Sequence, residues 1–183
     1  MRYGDSVKSI YTKFKATYTA NQAKQRDLYN QLQAQHLTEK DYQEQVDALR
    51  LSTGAAREGA YTELSKLKEQ HAAAVKRWNT YDGSKIPEDA KLFSIPVKLG
   101  AEQLSKLAAK HAGNPMMQDI ILGRMKEEDV VFDLPKNFNT ADRQLAEMDS
   151  YVSSAVQAVR EPDRMQAAFF EGGSVPDAAN ADI

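Results

Sequence analysis

The chain has 183 residues, 42% of them apolar and 27% charged, with a formal net charge of −2 and no cysteine. That length suits one medium domain, or a long helical hairpin carrying a small module. The missing cysteines exclude disulfide frameworks, thiolate metal sites and Cys nucleophiles, and the near-neutral balance speaks against non-specific coating of nucleic acid. No apolar run reaches the roughly 20 residues that span a bilayer. The first residues also lack the apolar core of a signal peptide, so the expected compartment is the cytosol, with no membrane partner.

The charge is unevenly placed. Up to Leu37, six bases (Arg2, Lys8, Lys13, Lys15, Lys24, Arg26) face two acids (Asp5, Asp27), a local excess of +4. From Glu161 onward one base, Arg164, faces Glu161, Asp163, Glu171, Asp177 and Asp182, a local excess of −4. Such polarity favours head-to-tail or partner association.

Apolar and small residues recur in steps of three and four from Tyr3 to Trp78, and no proline precedes Pro87. This is the pattern of long amphipathic helix. The first helix is expected to start near Asp5 or Ser6 and to run to about His36. Thr38 then caps a second helix, with Glu39 and Asp41 in its first turn, where the helix dipole favours negative charge. A turn at Leu37–Thr38 gives an antiparallel, coiled-coil-like hairpin; a single continuous helix is the competing reading, since neither Gly nor Pro stands at the junction. Ser52-Thr53-Gly54 is a point where the second helix could kink or restart, because Gly costs about 1 kcal/mol against Ala in a helix interior. Asp82-Gly83-Ser84 ends the hairpin at about residue 81.

Pro87 and Pro96 mark residues 82–98 as an extended linker. A small helical module is expected over 99–170, with Leu104, Leu107, Ala108, Met117, Ile120, Ile121 and Met125 in its core. Val130 to Phe132 read as either a short strand or a packed loop. A helix capped by Asn139 or Thr140 runs to about Arg160 with the stripe Leu145, Met148, Val152, Ala155 and Val159. Pro162 opens a last short helix, and residues 171–183 read as a disordered tail. The fold class is therefore all-α.

Nothing in the sequence names a reaction. His36, His71 and His111 fall on separate elements without partners at ligand spacing, Glu127-Glu128-Asp129 reads as a solvated run, and there is no phosphate-binding Gly-rich loop or serine elbow. The expectation is a non-enzyme without cofactor or metal. A two-helix hairpin has too little interior for both of its stripes, so Val7, Ile10, Phe14, Tyr18, Tyr42, Val46, Leu49, Leu64, Leu67 and Trp78 are candidates for an interface with a second copy, as a dimer or higher oligomer. Phe169 and Phe170, ahead of Gly172-Gly173, are either the last core contact or an anchor for a partner's groove. Lys8, Lys13 and Lys15, interleaved with Tyr11, Phe14 and Tyr18, are further partner-binding candidates. They could also serve nucleic acid by stacking and neutralisation, although the same pattern describes any packing stripe with a solvated flank.

The stretch from Trp78 through Asp82-Gly83-Ser84, Asp89-Ala90-Lys91-Leu92-Phe93, Leu99, Glu102-Gln103-Leu104 and Asn114 to Met116-Met117 resembles uncharacterised structural-module proteins of tailed bacteriophages and prophages, encoded near the capsid genes. Phe93 and Gln103 depart from the pattern. The resemblance implies a scaffold-like assembly or virion-associated role in the host cytoplasm or the virion, with capsid protein as partner, and supplies no catalytic residue. The alternative is a phage-encoded binding module that inhibits a host defence protein or binds nucleic acid.

Overall fold

The computed structural model describes residues 2–81 and 86–180; the Asp82-Gly83-Ser84 turn and the end of the expected tail, 181–183, lie outside the described residues. Among those described the chain is 75% helix and contains no strand. The elements are α1 (Tyr3–Gln33), α2 (Glu39–Trp78), a 3₁₀ segment (Glu88–Ser94), α3 (Ala101–Lys110), α4 (Pro115–Glu127), α5 (Ala141–Arg160), α6 (Met165–Gly172) and a 3₁₀ turn (Ala178–Asn180).

α1 and α2 pack as an antiparallel hairpin. α1 closes with His36 N–H donating to Gln31 C=O (2.9 Å) and Gln35 N–H to Leu32 C=O (3.0 Å). Gln35 sits at φ 58°, in the left-handed position that a Schellman ending usually gives to glycine. Thr38 then caps α2, its Oγ1 accepting from Asp41 N–H at 3.2 Å. The expected weak point at Gly54 does not break the helix, because the neighbourhood is held from both sides. Thr53 Oγ1 bonds back to Leu49 C=O (2.9 Å). Across the hairpin, Asn21 Nδ2 donates to Thr53 Oγ1 (3.0 Å) and lies 3.3 Å from Ser52 Oγ. A polar interruption of the α1 stripe thus becomes a cross-helix pin.

The chain forms two compact units, and the boundaries fall inside α2 and α5 rather than at the linear segments 1–81, 82–98, 99–170 and 171–183. The hairpin unit comprises Tyr3–Lys68 and Ser150–Val175; the module unit comprises Met1–Arg2, Glu69–Asp149 and Pro176–Ile183.

In the hairpin unit the buried side chains come from four helical pieces: Val7, Tyr11 and Phe14 of α1, Val46, Ala60, Leu64 and Leu67 of α2, Tyr151, Val152, Ala155 and Val159 of α5, and Ala167 and Phe170 of α6. Burying large apolar side chains of this kind contributes roughly 1.5–3 kcal/mol each, so the hairpin draws its stability from helices far along the sequence.

In the module unit Ala108, Ala112, Met117, Ile121 and Phe138 form the core cluster, with Ala90, Phe93, Leu107, Ile120, Leu122, Met125 and Phe132 packed against it. α4 starts on Asn114, whose Oδ1 accepts from Met117 N–H at 3.1 Å, with Pro115 at the first helical position. Residues 86–98 are not a free linker. Ala90 and Phe93 reach the core, Arg124 Nη2 holds Phe93 C=O (2.9 Å), and Asp89 is gripped by Lys110 (2.6 Å) and His111 (2.7 Å). Those two donors hold the Asp89 carboxyl below its usual pKa. The described part of the expected disordered tail is docked as well: Ala178 and Ala179 are fully buried, and Ala178 N–H meets Glu147 Oε2 at 3.3 Å. On α5 the inward face differs by a residue from the expected stripe. Leu145 is exposed, whereas Gln144, buried, donates to Asn139 C=O at 2.8 Å.

Candidate functional site

The residues singled out for association divide sharply by burial. Val7, Phe14, Val46, Leu64 and Leu67 are within the core of the hairpin unit, and Ile10, Tyr18, Tyr42 and Leu49 are half-buried. Trp78, half-buried, ends α2 in the module unit. The α1 part of the stripe expected to call for a second copy is instead lined by residues 162–173 of the same chain. Helical periodicity reports that a face is covered, and it carries no information on what covers it.

The cover is fastened by the charge polarity seen in the sequence. Lys8 Nζ donates to Gly173 C=O (2.9 Å), Lys15 Nζ to Pro162 C=O (2.5 Å) and Tyr11 Oη to Glu171 Oε1 (2.7 Å). Lys15 also lies 3.5 Å from Glu171, and Tyr18 Oη donates to Asp163 Oδ2. Lys13 faces Glu63 at 3.7 Å. The basic start and the acidic end, expected to join different molecules, therefore join within one chain. Lys8 and Lys15 are correspondingly engaged rather than held ready for a partner, whereas Lys13 stays exposed.

Phe170 is the last core contact and not a free anchor. Its ring meets Tyr11 edge-on (5.1 Å, 77°) and Tyr151 at 5.1 Å, an aromatic cluster of the kind that adds to plain area burial. The Phe169 side chain lies outside the described residues. Burial first, then the carboxylates they donate to, push the Tyr11 and Tyr18 hydroxyls above the ordinary phenol range. Tyr11, central to this cluster, is absent from the expected interface although it stands four residues after Val7 and three before Phe14, on the same stripe.

Exposed large apolar side chains of the module unit lie elsewhere, on the expected linker and on the stretch around Val130 to Phe132 that reads as a short strand or a packed loop. Leu92 (41%), Ile95 (47%), Val97 (55%), Val131 (87%) and Leu134 (38%) face solvent, while Phe93 and Phe132 between them point to the core. The two segments are tied together where Leu99 N–H donates to Glu128 Oε2 (2.9 Å). Glu128 is in turn 3.5 Å from Arg124. Residues 130–134 belong to no helix or strand.

His71 is buried, and desolvation lowers its pKa. Among the described residues no group of three or more His, Cys, Asp or Glu side chains could hold a metal. No described helix is long and apolar enough to cross a membrane. Comparisons with protein-family models, with curated proteins and with solved structures found no match.

Proposed function

We propose that this chain is a non-enzymatic, scaffold-like assembly protein of a tailed bacteriophage, acting in the host cytoplasm or within the virion through contacts with capsid protein and with its own copies. The observation that carries this reading is the apolar rim of the module unit. Five large side chains are held outward on two braced segments, whereas Val7, Phe14, Val46, Leu64 and Leu67 of the hairpin's stripe are buried, and outward apolar groups rimmed by charge are what a protein-binding surface requires. The resemblance of residues 78–117 to phage structural-module proteins supplies the class of partner. Engagement of Lys8 and Lys15 by the chain's own C-terminal segment weighs against nucleic-acid binding through α1.

The test is coexpression with the capsid protein encoded beside it. Co-elution or ordered co-assembly is the expected result, weakened by Val131→Asp with the helical signal intact. Tight binding of one host protein without co-assembly would instead favour the alternative, an inhibitor of a host defence protein.

A further inference from the structure

Resting on the reading of the module rim as a contact surface, we propose that its first occupant is a second copy of the same rim, joined about a two-fold axis. The module neutralises its inward carboxylates internally, Asp89 by Lys110 and His111, and Glu128 by Arg124 and the Leu99 N–H. What remains is asymmetric. The segment 91–98 carries two exposed bases, Lys91 and Lys98, and the segment 129–134 carries two exposed acids, Asp129 and Asp133. None of the four has a charged partner among the described residues. Each segment also holds its apolar residues outward, Leu92, Ile95 and Val97 on one, Val131 and Leu134 on the other.

A two-fold contact places the same patch on both sides, so a residue meeting a second in one direction is met by it in the other. Laid across its copy, the basic segment of each protomer meets the acidic segment of its partner, so that Lys91 and Lys98 face Asp129 and Asp133 across the outward apolar side chains. A partner of one sign would satisfy only half of the rim. Residues 131–134 also donate no backbone hydrogen bond within the described structure, which leaves those N–H groups available to a partner.

The full-length chain should show a concentration-dependent monomer–dimer equilibrium by sedimentation. Val131→Asp should weaken it at least tenfold, with unchanged circular dichroism. Charge reversal gives the sharper test. Lys98→Glu alone and Asp133→Lys alone should each be monomeric where the wild type dimerises, and mixing the two variants should restore a heterodimer, since both cross-pairs then become attractive. Asp133 is the acid to change because Asp129 sits at φ 53°, where most side chains are strained. A chain monomeric at all concentrations, a dimer indifferent to all three substitutions, or failure of the mixed pair to associate would overturn the interface. Capsid co-elution by the wild-type chain in any of those cases would show that the assembly reading survives that failure.

Discussion

Single side chains decide where the hairpin's chemistry is spent. Tyr11 has its ring in the core against Phe170 and its hydroxyl on Glu171. Removing that hydroxyl as Tyr11→Phe is expected to cost about 1.5–3 kcal/mol, the range of a hydrogen bond to a charged group after solvent competition, read as a lower denaturation midpoint. Tyr18 and Tyr81 also donate to carboxylates, Asp163 and Asp119, and the Tyr81 hydroxyl is pushed up to about 12, by that hydrogen bond first and burial second. The folded pKa lies above the unfolded 10.0, so this stability is fully present below pH 10 and is lost as the pH rises toward 12. A phenolate titration by absorbance should show these tyrosines ionising late and together with unfolding. Buried His71 acts at the other end of the scale. Its folded pKa lies below the unfolded 6.5, so the fold loses stability as the pH falls below 6.5 through the folded value; the urea midpoint should decline over that window, and less so in His71→Gln. Gln35, at φ 58°, is a left-handed position held by a residue with a Cβ. Gln35→Gly should raise stability by about 0.5–1 kcal/mol.

At the scale of elements, much was legible from spacing and cap chemistry. Thr38 could be read as the α2 cap because a hydroxyl followed by acids suits free N–H groups at a helix start, and Thr38→Ala should cost about 1 kcal/mol. Leu104, Ala108, Met117 and Ile121 could be read as core because two short helices of that periodicity must bury one face each. The connectors were less legible. Pro87 and Pro96 forbid regular helix pairing and so suggest a linker, yet they leave Phe93 and Ala90 free to pack and Asp89 free to be gripped from α3. Those contacts depend on residues more than a dozen positions away. The Ala178–Asn180 turn was illegible for a like reason: a segment too small to fold alone can still be buried when Glu147 offers an acceptor for its first N–H. Leu145 and Gln144 exchanged expected places on α5 because periodicity cannot say which of two adjacent residues faces inward when Asn139 C=O provides a partner for the polar one.

Across the whole chain, amphipathicity signalled correctly that the hairpin needs a cover. It was silent on the source, because intrachain and interchain packing bury the same side chains. The charge separation between Lys8–Lys15 and Asp163–Glu171 held the answer, and only the hydrogen bonds joining them turn it from an association signal into an internal clasp. Phe170→Ala should accordingly destabilise the full chain by about 3–5 kcal/mol, the cost of emptying a buried aromatic site. A surface anchor would instead lose a partner and keep its stability. The most direct measurement of the internal cover is a double-mutant cycle on Tyr11→Leu and Phe170→Leu in the full-length chain, repeated over a range of protein concentration. Ring contact at 5.1 Å predicts a coupling of about 0.5–1.5 kcal/mol that does not change with concentration. Strictly additive effects, or a coupling that appears only as the concentration rises, would contradict a hairpin covered by its own C-terminal helices.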